Sequence, residues 1–254
     1  MSISTSLQDG VATVAINRPD KKNALTADMY QAMADALNRA QADPAVRSVL
    51  LAGQPGMFTA GNDLEDFVQR PPKDMDAPVF RFMQALVAVD KPVIAAVEGV
   101  AVGIGVTMLL HCDLVYIADN AKLVLPFVSL GVVAEFASSF LLPLNAGYVK
   151  AAEKLLLGEP FTAQEALEMR IVNAVLPAAE VLPRARASAE KFVRLPPGAV
   201  RDTKRLLRRS HATQVAAAIR DEGELFCARL GSGEAQEAMT AFLEKRKPDF
   251  SRFQ

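Results

Sequence analysis

The stretch KPVIAAVEGVAVGIGVTMLL, residues 91–110, decides the fold. It is the most apolar run in the chain, yet Glu98 and the glycines Gly99, Gly103 and Gly105 interrupt it, so it reads as strand, turn and helix and not as a membrane span. Similar strands lie on both sides. Residues 11–17 alternate with the period of a half-buried strand until a proline and charges at 18–22 break the pattern, and residues 47–52, 113–118 and 122–127 supply three more. Between the first two, Thr26 stands where an N-cap belongs, ahead of an amphipathic helix running to about Gln41. This repeated alternation of strand and helix argues for an α/β core. From Gly147 onward the chain turns helical, with candidate helices at 148–157, 163–169, 183–193, 198–209, 212–230 and 233–245, and Leu195-Pro196-Pro197 forms a short joint among them.

Composition bounds the partners. A chain of 254 residues that is 51% hydrophobic fills one large core, or a core with a smaller appendage. A formal net charge of −1 provides no global field to hold nucleic acid or an anionic membrane, so neither is expected as a partner. Arg201, Lys204, Arg205, Arg208 and Arg209 raise the remote alternative of a non-catalytic RNA binder, but no aromatics interleave them, and a solvated helix face with Leu206 and Leu207 turned inward accounts for them. Cys112 and Cys227 are too few for a disulfide scaffold, and His111 and His211 too few for a histidine-rich metal site, so no metal is assigned. His111 and Cys112 are chain neighbours whose side chains point apart, which makes no nucleophile pair. No secretory signal, membrane anchor or Ser-Lys-Leu ending is read, leaving a cytoplasmic location as the expectation.

Three segments carry residues suited to chemistry: Arg18-Pro19-Asp20-Lys21-Lys22-Asn23-Ala24-Leu25, then Phe58-Thr59-Ala60-Gly61-Asn62-Asp63-Leu64, then Glu98-Gly99-Val100-Ala101-Val102-Gly103-Ile104-Gly105-Val106-Thr107. In the third, backbone N–H groups at the entry to a helix suit an anion, including a transient oxyanion. The same glycines also suit close packing of helix on sheet. Gly103-Ile104-Gly105 begins a dinucleotide fingerprint that fails at Met108, where its third glycine would stand.

In this order and spacing the three segments resemble the crotonase superfamily, also called the enoyl-CoA hydratase/isomerase family. The resemblance continues through Phe161-Thr162-Ala163-Gln164-Glu165-Ala166 to Ala241-Phe242-Leu243-Glu244-Lys245-Arg246-Lys247-Pro248. It implies a crotonase-like spiral of ββα units over residues 1–195, then a C-terminal helical region, 196–254, that makes homotrimers, often paired into hexamers. It implies acyl-CoA thioester substrates, with coenzyme A carried by the substrate and no separate cofactor. By resemblance, the oxyanion-hole N–H groups are those of Asn62 and Ile104, the isoleucine replacing the commoner glycine. Coenzyme A contacts fall on Lys21, Lys22, Ala24, Ala60, Asp63 and Leu64, and on Phe242 and Lys245, whose spacing on one helix face would reach the coenzyme of a neighbouring subunit. A solvated turn for the two lysines and a core position for Phe242 are the plain alternatives.

The family's hydratases use two glutamates, at the positions that hold Thr107 and Phe127 here, and neither of these side chains is a base at neutral pH. A different carboxylate, Glu135, sits in the apolar stretch Leu130-Gly131-Val132-Val133-Ala134-Glu135-Phe136, where desolvation raises its pKa. This arrangement is similar to the peroxisomal-type 3-enoyl-CoA isomerases, whose catalytic glutamate falls on Glu135. A 1,3-shift needs one base, which removes a C2 proton and returns it at C4 while the oxyanion hole stabilises the dienolate. Phe136 departs from the glycine those isomerases tend to carry. A hydratase, or another crotonase-type lyase or hydrolase, is the alternative within the superfamily. A carboxylate that merely stabilises a helix start is the plain alternative for Glu135.

Overall fold

The computed structural model describes residues 2–54 and 56–253. Its strands are β1 (Ile3–Gln8), β2 (Val11–Ile16), β3 (Ser48–Ala52), β4 (Val93–Val97), β5 (Val100–Val102), β6 (Leu114–Ala118), β7 (Lys122–Val124), β8 (Phe161–Thr162) and β9 (Ala174–Leu176). Its helices are α1 (Ala27–Ala42), α2 (Leu64–Gln69), α3 (Pro78–Ala88), α4 (Ile104–Thr107), α5 (Ser138–Ala146), α6 (Tyr148–Leu157), α7 (Ala163–Glu168), α8 (Ala178–Val193), α9 (Pro197–Arg209), α10 (Ala212–Leu230) and α11 (Gly233–Leu243).

Two sheets order these strands. The larger runs β1-β2-β3-β4-β6-β9, parallel throughout except for the β1–β2 hairpin. Central strands β3 (SVLLA) and β4 (VIAAV) are buried at every residue, as expected of parallel strands covered on both faces. Helix α8 packs across β3, β4 and β6, and Ser48 Oγ donates to the Ala189 carbonyl at 3.0 Å. The smaller sheet, β5-β7-β8, forms a second layer. Single parallel bridges, Thr59 with Ala101 and Leu25 with Asn62, extend that layer beyond β5. Strands β2, β3, β4 and β6 of the larger sheet are therefore each followed by an extended segment in the second layer before the chain turns away, which is the expected spiral of strand–strand–helix turns.

Several boundaries differ from the sequence reading. Residues 91–110 hold two strands: β4 ends at Val97, Glu98 and Gly99 turn, and β5 joins the second layer before α4 begins. Strand β7 stops at Val124 because Pro126 follows two residues later. Helix α8 starts at Ala178, five residues before Pro183; that proline lies inside the helix, beyond its first turn. The last helix ends at Leu243, short of residue 245. No described helix is long and apolar enough to cross a membrane.

Candidate active site

Residues 59–63 are stitched between two neighbours. Thr59 N–H donates to Val100 O at 3.0 Å and Val102 N–H to Thr59 O at 3.1 Å on one side; Leu25 N–H donates to Gly61 O at 2.8 Å and Asp63 N–H to Leu25 O at 2.9 Å on the other. This pairing uses the groups flanking Asn62, so the Asn62 N–H itself is directed away from Leu25. Among the described residues no acceptor takes it, nor the Ile104 N–H. Gly61 allows the approach: at φ 83° it tolerates a left-handed backbone, and a Cβ there would lie 2.8 Å from Val102 O. Gly103, at φ 54° and ψ −116°, makes the turn that frees the Ile104 N–H, a conformation closed to residues with side chains. Helix α4 is one turn long, so the N–H groups, more than a helix macrodipole, supply the positive end.

Tyr30, buried on α1, donates its hydroxyl to Asn62 Oδ1 and so anchors the residue whose backbone carries one of the two free donors. Burial first, then the negative fields of Glu135 and Asp66, hold that phenol well above its ordinary pKa, so it stays protonated.

Glu135 lies only 4% exposed at the end of the 125–135 segment. Thr107 Oγ1, on α4, donates to its Oε1 at 2.5 Å, while Oε2 takes no protein partner among the described residues. Desolvation lifts the Glu135 pKa from 4.5 to about 8, the Thr107 hydrogen bond opposes that rise, and the field of Glu222 adds to it. The helix-start role does not fit the geometry, because α5 begins at Ser138 and its exposed N–H groups are taken by Glu222 instead. Phe136 has φ 59° and stacks its ring on His111, centroids 4.0 Å apart, while its carbonyl lies 2.8 Å from His111 Nε2. Burial drops the His111 pKa to about 4 and raises that of Cys112 to about 12, so neither is poised as a base or nucleophile. Phe127 lies against the Gly103 turn, its ring 3.8 Å from where a Cβ would stand.

The coenzyme candidates fall into two groups. Lys21, Lys22, Ala24, Ala60, Asp63 and Leu64 cluster, because Ala60 N–H donates to Lys22 O at 3.0 Å and Arg18 pairs with Asp63 at 2.6 Å. Both lysines are exposed; Lys21 reaches Glu65 at 3.3 Å. Asp63 is committed to capping α2 and to Arg18, whose hydrogen bond and charge outweigh partial burial and hold its carboxyl below the usual range. Phe242 lies on α11, 61% exposed and so not a core phenylalanine, whereas Lys245 follows the helix with φ 56°. The two therefore do not share the helix face that their spacing predicts.

Leu206 and Leu207 also differ from expectation, both being exposed. The inward residues of α9 are cationic instead: Lys204 Nζ donates to Lys91 O and to Asp113 Oδ2, each at 2.6 Å, and Arg208 donates to His111 O at 2.6 Å. Arg201 and Arg205 pair with Asp90 and Asp202. The basic run is mostly consumed within the chain.

A cavity of about 1270 Å³ opens between residues 67–76 and helices α10 and α11, walled by Phe67, Met75, Met239 and Leu243. A second, of about 500 Å³, shares Phe67 and Pro71 with it and extends to Leu25 and Tyr30, beside Asn62.

A two-layer spiral with paired free backbone donors and a buried carboxylate defines an acyl-transfer or enolising class of site. The chain matches the enoyl-CoA hydratase/isomerase family model over residues 6–252, and it belongs to that family. It is similar to the probable enoyl-CoA hydratase echA8 of Mycobacterium leprae (strain TN), 34% identical over 99% of both chains. It is also similar to enoyl-CoA delta isomerase 2 of Homo sapiens, 33% identical over 94% of this chain and 62% of that one. Among solved structures, Pseudomonas aeruginosa OdaA superposes with a TM-score of 0.93 at 49% identity, covering 95% of this chain and 98% of the other. The protein is thus a crotonase-fold enzyme of acyl-CoA hydratase/isomerase type.

Sequence reasoning did not single out Tyr30 or Glu222. Tyr30 is one apolar-face residue among several on α1, and Glu222 lies on a helix remote in sequence; neither carries a local signal.

Proposed function

We propose that the enzyme shifts the double bond of 3-enoyl-CoA to the 2-position, with Glu135 as its single proton carrier. One observation carries the reading: Thr107, standing where a hydratase has a carboxylate, donates instead to Glu135 Oε1 and leaves Oε2 unpartnered among the described residues. Glu222, another buried carboxylate near the site, has both oxygens engaged by residues 137–139. Glu135 Oε2 removes a C2 proton, the Asn62 and Ile104 N–H groups hold the thioester oxygen of the dienolate, and Glu135 returns the proton at C4. A carboxyl with a pKa near 8 suits both halves of that cycle, being basic enough to take the proton and acidic enough to give it back. The apolar cavity beside Phe67 and Met239 suits an acyl chain, and the Lys21–Lys22 turn suits the phosphates of coenzyme A. Exposed Tyr148, Val149, Leu156 and Leu157 on α6, with Leu206 and Leu207 on α9, support assembly into a homotrimer or hexamer.

The relatives named as hydratases favour a second reading, in which Glu135 holds a water for addition to 2-enoyl-CoA. Supplying 3-enoyl-CoA and 2-enoyl-CoA separately and weighing the products distinguishes them. Isomerisation conserves mass and creates the conjugated thioester chromophore. Hydration of the 2-enoyl substrate that outpaces any isomerisation overturns the first reading.

A further inference from the structure

We propose that Glu222 is a positioning residue for the proton transfer: from α10 it clamps the left-handed turn at Phe136 and Ala137 that delivers Glu135 to Thr107. This rests on Glu135 being the proton carrier.

The backbone after Glu135 takes two consecutive left-handed residues, Phe136 at φ 59° and Ala137 at φ 56°, neither of them glycine. Such a pair is unfavourable for L-residues and persists only when the surroundings over-determine it. Glu222 does this. Its Oε2 accepts the Ala137 N–H at 2.5 Å, and its Oε1 accepts the Ser139 N–H at 2.9 Å and the Ser139 hydroxyl. His111 braces the same turn from the other side through the Phe136 carbonyl and ring. Helix α5 has no side-chain cap of its own, so the carboxylate from α10 also occupies its N-terminus.

A cap that only stabilised α5 would leave the reacting group indifferent to its charge. Here the charge reaches Glu135, whose proton affinity rises in part from the field of Glu222. Among the described residues the Thr107 hydroxyl is the group hydrogen-bonded to Glu135, Tyr30 stays protonated within reach of its field, and Asp221 is the charged neighbour that acts on Glu222. His111 is uncharged through the working range, with Arg208 acting on it.

The test compares Glu222→Gln, Glu222→Asp and Glu135→Gln through kcat, KM and the pH profile of kcat/KM, with 3-enoyl-CoA as substrate and melting curves as the folding control. Glu222→Gln keeps the size and removes the charge. It is expected to lower kcat by about 10–100-fold with KM little changed, the cost of a misplaced base. The acid limb of kcat/KM should move to lower pH by about one pH unit, because a like charge has gone. Glu222→Asp should restore the limb and part of kcat. Should Glu222→Gln fail to fold, Ser139→Ala, which deletes one of the three donors, is expected to lower kcat severalfold without moving the limb. A folded Glu222→Gln enzyme with unchanged kcat and an unmoved limb overturns the proposal, as does an unchanged kcat for Ser139→Ala where that variant decides. An active Glu135→Gln variant instead removes Glu135 from the mechanism, a separate failure.

Discussion

Replacing Thr107 by valine tests the electrostatics of the site with minimal change of shape. The hydroxyl donates to Glu135 Oε1 at 2.5 Å, and a hydrogen bond to a charged acceptor contributes about 1.5–3 kcal/mol. That bond favours the ionised carboxylate, so removing it raises the Glu135 pKa. At about 1.4 kcal/mol per tenfold change, the midpoint should travel from about 8 to roughly 9–10. A base must be deprotonated to act. At pH 7 roughly a tenth of the wild-type enzyme carries the carboxylate, against about a hundredth or less of the variant, so kcat/KM at pH 7 should fall about 10–100-fold. Above the new midpoint the part of the deficit due to protonation closes, because both enzymes then carry the carboxylate, and what remains measures the loss of its placement by Thr107. The assay is the pH dependence of kcat/KM for 3-enoyl-CoA, followed by the absorbance of the conjugated product. A midpoint that stays put, or moves to lower pH, refutes the claim that Thr107 tunes Glu135.

Glu135→Gln should abolish double-bond migration and also alter stability. The folded pKa of about 8 lies above the ordinary 4.5, so the fold loses stability as pH rises through that window and must bury a charge above it. The glutamine variant should therefore gain on the order of a few kcal/mol over wild type at pH 9 and little at pH 4, read as the difference in melting curves; equal melting at both pH values contradicts the raised pKa. Gly103→Ala meets no close atom, only Phe127 Cε1 at 3.8 Å, so its effect is backbone strain at φ 54°: a loss of about 100–1000-fold in kcat is expected with the fold retained, and near-normal kcat would show that the Ile104 N–H is not a donor to the oxyanion. Val149→Glu, at a position 79% exposed, should change monomer stability by less than about 0.5 kcal/mol yet lower the assembled mass in light scattering; an unchanged mass moves the interface elsewhere.

The fold was legible because buried parallel strands announce themselves: β4 is an unbroken apolar run and β3 is one from Val49 onward, and Thr26 caps α1 where the sequence placed it, accepting the Met29 N–H at 3.4 Å. Strand β1 was not legible, because only Ile3 of its six residues is buried and an edge strand needs no alternating apolar face. Helix α9 misled for a related reason. Its inward face is Lys204 and Arg208, which share the Asp113 carboxylate and donate their remaining hydrogen bonds to backbone carbonyls, and its leucines point out, so hydrophobic patterning read the wrong side. Lys245 eluded the helical spacing argument because a left-handed residue ends the periodicity.

Motif order led to Glu135, but not to what surrounds it. The groups that act on it arrive from α4 and α10, elements separated from it and from each other by tens of residues, and interactions of that kind leave no local pattern. In the proposed mechanism they nonetheless decide the chemistry. A carboxylate this deeply buried would stay protonated and inert at neutral pH if nothing favoured its charge, and would be a weak base if everything did. Thr107 pulls its pKa down while desolvation and Glu222 push it up, and the balance near 8 keeps both proton states accessible. Since the same groups also hold the residue in place, changing Thr107 or Glu222 alters where Glu135 points and how tightly it holds its proton together. The opposite directions in which those two variants move the acid limb are then a sharper test of the arrangement than the loss of activity they share.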